Sequence, residues 1–150
     1  MADDDDEPWD SCLEIPRAFD QVKDNLYMGG IIDDTSRFKY VFCCTYDTYT
    51  TGSQQQLTYL VPFHDTAMLP PEWFLDEVTD EIIKCMGKGK TYVHCTAGVN
   101  RSGLMVALTL VKLGLQPVDA IDLLRKVRSP SVLCNKTFAQ RVLDGPGSSR

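Results

Sequence analysis

Histidine is scarce in this sequence, and its cysteines lack the spacing of metal ligands. The two histidines are His64 and His94, and none of the six cysteines forms a CxxC pair with another. No group of histidines and cysteines has the spacing typical of a zinc site. We therefore expect no metal site and no cofactor.

Positive charge is also in short supply. Lysine and arginine total 15 residues against 21 aspartates and glutamates, so the 150-residue chain has a formal net charge of −6 and a pI near 4.8. This balance disfavours a protein whose main task is to hold nucleic acid or an anionic membrane surface. A phosphate site in such a chain must be confined to a local positive pocket.

Long apolar segments and a basic leader are absent as well. The first ten residues read MADDDDEPWD, with no basic region before an apolar run, and no apolar run reaches the length of a membrane span. These features predict a cytoplasmic and/or nuclear protein with reduced thiols. We expect a monomer that associates with neither membrane nor nucleic acid.

The composition fits one domain between two polar ends. Hydrophobic residues make up 43% of the chain, which is enough for a single core. The acidic segment 1–10 repels itself and cannot bury apolar surface, so we expect it to be disordered. The sequence GPGSSR at 145–150 is typical of a flexible tail. The predicted domain is therefore 11–144.

Strand-like and helix-like apolar patterns alternate along this domain. Strands are predicted at 25–30, 39–45, 57–63 and 91–95. Helices are predicted at 72–86 and 102–114, from Pro117 onward, and at 136–143. This alternation predicts an α/β fold, a single domain in which helices flank a central, mainly parallel sheet of about four to five strands.

The segment HCTAGVNRSG at 94–103 joins a predicted strand to a predicted helix. Such a loop directs backbone N–H groups and the positive end of a helix dipole at one point, which suits a tetrahedral anion. Gly98 permits the positive φ that a nest of donors requires, and the Arg101 guanidinium can hold two phosphate oxygens. We call residues 95–101 the phosphate loop. Its predicted phosphate-binding residues are Thr96, Ala97, Gly98, Val99, Asn100 and Arg101.

Cys95 begins the phosphate loop, where the electrostatic field favours an anion. Cysteines beside helix N-termini and cations are stable as thiolates, and the thiolate is the nucleophilic form. Ser102 can donate a hydrogen bond to the sulfur, and His94 can orient the loop from behind. The reaction that fits is in-line attack of sulfur on a phosphomonoester, giving a cysteinyl-phosphate that water hydrolyses.

The leaving oxygen of such a reaction needs a proton donor, and Asp65 is the candidate. It lies in VPFHDTAMLPP at 61–71, here called the acid loop, thirty residues before Cys95. A general acid contributes about 10²–10⁴ in rate. An aspartate in a loop is otherwise an ordinary turn residue, so the assignment depends on the phosphate loop.

The pattern His-Cys-any five-Arg-Ser at 94–102 resembles the signature of the cysteine-dependent protein tyrosine phosphatase superfamily. The short chain resembles a small, atypical dual-specificity phosphatase over about 20–143. Three further segments carry the likeness: DNLYMGG at 24–30, VPFHD at 61–65 and NKTFAQRVL at 135–143. The resemblance implies that the predicted domain is a phosphatase catalytic domain with the corresponding α/β fold.

The resemblance also implies residue roles and a substrate class. It implies that Cys95 is the nucleophile, Arg101 the phosphate clamp and Asp65 the general acid, and that Ser102 assists departure of the thiolate. The implied substrates are proteins carrying phosphotyrosine and phosphoserine or phosphothreonine. Classical tyrosine-only enzymes add a long recognition loop, and no segment here is long enough to supply one. We therefore predict a shallow pocket.

Three alternatives use the same loop. Asn100 stands where many dual-specificity enzymes have serine, which is more similar to the RNA 5′-triphosphatase branch, although a pI near 4.8 argues against RNA. Phosphoinositide phosphatases tend to have lysines in this loop, whereas Thr96, Val99 and Asn100 are neutral. A non-catalytic phosphopeptide-binding module is disfavoured by the intact cysteine, arginine and aspartate.

Cys43 and Cys44 are candidate redox partners of Cys95. They end the strand YVFCC, which is placed similarly to a cysteine-bearing strand in the tensin-type lipid phosphatases. A thiolate oxidises readily to sulfenic acid, and a neighbouring thiol traps that product as a disulfide. Adjacent strand side chains point to opposite faces, so only one of the pair can face Cys95. The alternative is that both are small buried hydrophobic residues.

Overall fold

A computed structural model describes residues 17–46 and 55–146. The strands are β1 Phe19–Lys23, β2 Leu26–Gly29, β3 Tyr40–Cys43, β4 Leu57–Leu60 and β5 Thr91–His94. They form a five-stranded sheet of order β1-β2-β5-β3-β4. All neighbouring pairs are parallel except β1 and β2, which are antiparallel. The predicted α/β fold with a mainly parallel sheet is confirmed.

The described residues contain four helices. They are α1 Glu72–Met86, α2 Arg101–Lys112, α3 Pro117–Val127 and α4 Lys136–Asp144, each within two residues of its predicted bounds. Helix α2 is central because every residue from Ser102 to Leu110 is buried, and it packs against α1, α3 and α4. None of these helices has the length and apolarity that crossing a bilayer requires.

Strand β1 is not among the predicted elements. It is an edge strand in which Val22 is the only buried residue, so its sequence FDQVK lacks the apolar alternation of a half-buried strand. Phe19 fixes the position of this strand, because its ring contacts the rings of Phe38 and Tyr92 at centroid distances of 5.4 and 5.9 Å. An aromatic contact between distant segments leaves no local pattern in the sequence.

The two faces of the sheet have different cores. Leu26, Met28 and Val93 belong to the larger core, which includes the buried faces of the helices. Tyr92 and Val41 point to the other face and form a small cluster with Phe38, to which Phe19 and Tyr27 add partly buried rings. The alternation follows from the two-residue period of a strand. Burial of each large apolar side chain contributes about 1.5–3 kcal/mol to this arrangement.

The carboxyl ends of the four parallel strands meet at one edge of the sheet. The chain leaves the sheet there at Gly30, Cys44, Val61 and Cys95, earlier than predicted for most strands. These departures are held by backbone hydrogen bonds between neighbouring exits, such as Cys44 N–H to the His94 carbonyl (2.9 Å). This edge is the usual place of a ligand site in a parallel sheet.

Several predictions concern residues outside this description. The expected disorder of 1–10 lies wholly outside it, and the expected flexible tail at 145–150 is described only to residue 146. The boundaries of the predicted domain at 11 and 144 therefore stay predictions. Within residues 17–46 and 55–146, no group of three or more histidine, cysteine, aspartate or glutamate side chains is arranged to hold a metal ion.

Candidate active site

The phosphate loop connects the central strand β5 to α2 and is tightly packed. Gly98 has a φ of +73°, as predicted for a residue that lets donors converge. A Cβ there would lie 2.7 Å from the Gly29 carbonyl oxygen and 2.7 Å from a terminal guanidinium nitrogen of Arg128. Neither backbone conformation nor space admits a side chain, so this position requires glycine.

Arg128 holds the phosphate loop from behind. Its side chain is 1% exposed and forms an ion pair with Asp20 at 2.8 Å. Its Nε donates to the Gly98 carbonyl (3.0 Å) and its Nη2 to the Ala97 carbonyl (3.3 Å). In a trans peptide the N–H points opposite to the C=O. The N–H groups of Gly98 and Val99 are therefore directed away from Arg128, to the side where an anion would bind.

The role of Arg128 was not predicted from the sequence. It lies just after α3, at the end of the sequence RKVR. The available signal is positional, because Arg128 follows the buried residues Ile121 and Leu124 at helical spacing, seven and four residues later. A charged side chain within the apolar face of a helix indicates a buried ion pair.

Cys95 and Ser102 lie together as predicted. The Cys95 side chain is 3% exposed, and its Sγ lies 3.3 Å from the Ser102 Oγ. Helix α2 begins one residue before Ser102, and no side chain caps its N-terminus. The unsatisfied N–H groups of its first turn and the positive end of its dipole therefore act on the same loop.

Two of the guanidinium nitrogens of Arg101 are hydrogen-bonded at the loop, and the third is not. Its Nη1 donates to the Phe63 carbonyl in the acid loop (3.3 Å), and its Nη2 donates to the Thr96 Oγ1 (3.1 Å). The buried Nε–H has no hydrogen-bond partner among the described residues. Because an unsatisfied buried donor is unfavourable, this N–H suits an oxyanion at the loop.

The other predicted phosphate-binding residues have different exposures. Thr96 is exposed and Ala97 is half-buried, whereas the side chains of Val99 and Asn100 are buried. Those two side chains are thus turned into the protein, and these residues can offer a phosphate only their backbone N–H groups.

The carboxylate of Asp65 lies between two amides. Asn100 Nδ2 donates to its Oδ2 at 3.1 Å, and Asn135 Nδ2 donates to its Oδ1 at 2.8 Å. Asp65 itself is half-buried. The structure therefore places the predicted acid in contact with Asn100, the residue before Arg101. The sequence analysis predicts neither of these two amide partners.

His94 supports the loop as a neutral side chain. It is fully buried at the end of β5, and its ring stacks on that of Tyr92 with a centroid distance of 5.4 Å. Burial lowers the pKa of His94 to about 4. The imidazole is therefore uncharged at neutral pH and contributes packing rather than positive charge.

The structure distinguishes Cys44 from Cys43. The register pairs Cys43 with His94, so the next residues, Cys44 and Cys95, are neighbours that point to the same face. The Cys43 Sγ instead lies 3.3 Å from the Thr45 Oγ1. Burial raises the pKa of the Cys44 thiol well above its usual value, and the nearby charge of Cys95 raises it further. Cys44 is therefore a thiol beside the predicted nucleophile.

The expectation of reduced thiols is wrong for one residue. Cys43, Cys44, Cys85 and Cys95 are buried thiols that form no disulfide, but Cys134 is disulfide-bonded. Cys134 is half-buried just before α4.

Sequence comparison places these features in a family. The family model described as "Dual specificity phosphatase, catalytic domain" matches residues 26–144. The "Dual specificity protein phosphatase OPG106" of monkeypox virus is 33% identical over 103 residues, which is 64% of this chain and 60% of that protein. The "Tyrosine-protein phosphatase" of Autographa californica nuclear polyhedrosis virus is 37% identical over 116 residues, 74% of this chain and 65% of that protein. The chain thus spans about 60% of the monkeypox relative's length.

Solved structures share the fold. OH1 from the Orf virus superposes with a TM-score of 0.74 at 21% identity and covers 88% of each chain. Human DUSP28 superposes with a TM-score of 0.73 at 15% identity, over 83% of this chain and 95% of that one. Such identities show the fold alone, whereas the family match spans the phosphate loop, the acid loop and all four helices. The chain belongs to the dual specificity phosphatase family.

Proposed function

We propose that this chain is a protein phosphatase that hydrolyses phosphomonoesters on phosphotyrosine and on phosphoserine or phosphothreonine. One observation carries the proposal: the Cys95 sulfur lies 3.3 Å from the Ser102 hydroxyl at the start of the phosphate loop, and Arg101 at the end of this loop has a buried Nε–H without a partner among the described residues. A bound phosphate would complete this arrangement. Family membership supports the proposal, because the cysteinyl-phosphate mechanism is general to the family.

The mechanism follows from the contacts of the site. In the first step the Cys95 sulfur attacks phosphorus, the bond from phosphorus to the leaving oxygen breaks, and Asp65 donates a proton to that oxygen. Arg101 and the loop N–H groups hold the phosphoryl oxygens throughout. In the second step water attacks phosphorus and gives its proton to Asp65. The sulfur then leaves as a thiolate that accepts a hydrogen bond from Ser102.

A phosphoprotein fits the phosphate loop better than a phosphoinositide or a triphosphate-ended RNA. No residue of the loop other than Arg101 carries a charge that a second phosphate could use. The Asn100 amide, which resembles the RNA 5′-triphosphatase branch, is occupied by Asp65 and Asn135 and is not turned to a ligand. The relatives named above are a dual specificity protein phosphatase and a tyrosine-protein phosphatase. OH1 is described as a tyrosine phosphatase with triple substrate specificity.

A substrate panel tests this proposal. Phosphotyrosine and phosphothreonine peptides, a triphosphate-ended RNA and phosphoinositide vesicles are compared by phosphate release, with Cys95→Ser as the blank. We expect kcat/KM on phosphopeptides to exceed that on RNA or lipid by about tenfold or more, because each unmet phosphate contact loses about 1.4 kcal/mol. A higher kcat/KM on RNA or lipid contradicts the assigned substrate. Phosphopeptide binding without turnover would indicate a binding module instead.

We also propose the cellular setting of the activity. The partners are phosphorylated proteins, and the chain acts as a monomer in the cytoplasm and/or the nucleus without a metal or other cofactor. The net charge of −6 supports a protein that avoids nucleic acid and anionic membranes. The pocket is shallow and admits both aromatic and aliphatic phosphoesters.

We propose Cys44, and not Cys43, as the redox partner of Cys95. Peroxide would oxidise the Cys95 thiolate to sulfenic acid, and the Cys44 thiol would then form an S–S bond to that sulfur with release of water. The in-register placement of Cys44 beside Cys95, on the same face, supports this pairing.

Oxidation followed by peptide mapping tests the pairing. We expect a disulfide between Cys44 and Cys95 in the wild type and in Cys43→Ser, the matched control at the adjacent position. Cys44→Ser should lack it and should proceed to sulfinic acid, with activity that thiol reduction no longer restores. A wild type without any disulfide at Cys95 contradicts the proposal.

A further inference from the structure

The side chain of Asn100 does not cap the helix that follows it. Asn100 is the N-cap residue of α2, where an asparagine usually accepts from N–H groups of its own helix. It makes no such bond, although it is only 4% exposed. Its Nδ2 donates to the Asp65 Oδ2 (3.1 Å) and contacts the Cys134 Sγ (3.6 Å), and its Oδ1 accepts from the Asn135 N–H (2.9 Å).

Asn135 completes the same network from another element. As N-cap of α4, its Oδ1 accepts from the N–H groups of Thr137 (3.0 Å) and Phe138 (3.2 Å). Its Nδ2 donates to the Asp65 Oδ1 (2.8 Å) and the Thr66 carbonyl (2.8 Å). Every hydrogen-bonding site of this amide is used. The acid loop is thereby attached to the start of α4.

We infer that Asn100 is a positioning residue that fixes the acid loop to the phosphate loop, through the amide it donates to Asp65. Asn100 directly precedes Arg101, so its contact sets the carboxyl of Asp65 relative to the guanidinium that would hold the phosphate. The inference rests on the proposed function of Asp65 as the general acid. It explains the asparagine at this position by a contact within the protein, so that no RNA ligand is needed to explain it.

The chemistry of the amide explains why asparagine suits this place. It supplies a donor for the carboxylate and an acceptor for the Asn135 N–H at the same time, which neither aspartate nor leucine can do. Each carboxylate oxygen has two acceptor directions, so an oxygen held by one amide can still carry a proton to the leaving group. Asp65 is half-buried, which leaves that second direction accessible.

Leaving-group dependence tests the inference. Asn100→Ser keeps a polar side chain but is too short to reach Asp65, and phenyl phosphate and 4-nitrophenyl phosphate serve as poor and activated substrates. We expect kcat/KM on phenyl phosphate to fall by about 10- to 100-fold, since misplacement of a reacting group by about 1 Å costs up to 10²-fold. The loss on 4-nitrophenyl phosphate should be much smaller, and inhibition by vanadate should be retained.

A double-mutant cycle separates positioning from a structural role. In the Asp65→Asn background, Asn100→Ser should change kcat/KM on phenyl phosphate by no more than about twofold, because the group it positions is already gone. Equal losses on both substrates, an undiminished loss in the Asp65→Asn background, or no loss in the single variant would each overturn the inference. If Asp65→Asn itself shows no dependence on the leaving group, the proposed acid is wrong, and the inference falls with it.

A variant of Asn135 provides the second test and guards against misfolding at the α2 N-terminus. Asn135→Ser keeps a good helix cap for α4 but removes the amide that reaches Asp65. It should show the same leaving-group pattern as Asn100→Ser while its cooperative unfolding transition stays above the assay temperature. A variant that retains full activity on phenyl phosphate would show that the amides do not position the acid.

Discussion

Cys95→Ser is expected to lower the rate of phosphopeptide hydrolysis by about 10⁴-fold or more. A serine hydroxyl is not ionised near neutral pH, and the side chain found beside the sulfur is another hydroxyl, that of Ser102. A neighbouring hydroxyl is not a base that could activate the substituted residue. Rapid-quench measurement of phosphate release over a single turnover checks this result.

Binding should survive the same substitution. Arg101 and the N–H groups of the phosphate loop remain, so calorimetry should detect a phosphopeptide bound to Cys95→Ser. The matched control is Cys85→Ser, since that buried thiol lies in α1 beside the Tyr59 hydroxyl and away from the phosphate loop. It should keep wild-type turnover. Residual activity of Cys95→Ser within tenfold of the wild type would contradict the assigned nucleophile.

Asp65→Asn is expected to lower kcat/KM, which reports the step in which the leaving group departs, by about 10²–10⁴-fold on phenyl phosphate while sparing 4-nitrophenyl phosphate. The poor leaving group needs a proton as its bond to phosphorus breaks, whereas the nitrophenolate leaves without one. Steady-state rates on the two esters, measured across pH 5–8, give the ratio directly. The amide has the size of the carboxyl but offers one acceptor oxygen to the two amide donors, so the ratio between the two esters, rather than either rate alone, reports the lost proton.

A surface carboxylate supplies the control for this experiment. Asp80 lies on α1 and pairs with Lys112 at 2.7 Å in an exposed ion pair. Asp80→Asn should leave both rates unchanged, because such pairs contribute little and the residue does not contact the phosphate loop. Equal losses on the two esters in Asp65→Asn would mean that another group donates the proton.

The elements that can be predicted are those whose residues form a pattern over a short stretch of sequence. Helices α1 and α2 carry apolar residues at helical spacing over more than ten residues, and a glycine-rich or proline-rich segment bounds them. Cys95, Arg101 and Ser102 fall within eight residues of one another, so the geometry of a strand, a turn and a helix start brings them together. The contact between Cys95 and Ser102 and the positive φ of Gly98 follow from that local geometry.

The unpredicted part depends on contacts between distant segments. Asp65 meets Asn135 across seventy residues of sequence, and Arg128 meets Asp20 across more than a hundred. Such pairs are set by how the helices pack on the sheet, and a single sequence holds no period that reports them. The edge strand β1 escaped prediction for the same reason, because its partner strand and the ring of Phe38 define it more than its own residues do.

The order of strands in the sheet has a consequence for how the molecule loosens on warming. The nucleophile follows β5, which has a neighbour on both sides, while the acid follows β4, an outer strand with exposed Leu57 and Leu60. Local opening takes outer strands first and central strands last. In a slightly destabilised molecule the proton donor would therefore lose its position while the phosphate loop still bound phosphorylated ligands. Heating would thus abolish turnover before it abolished ligand binding or unfolded the chain.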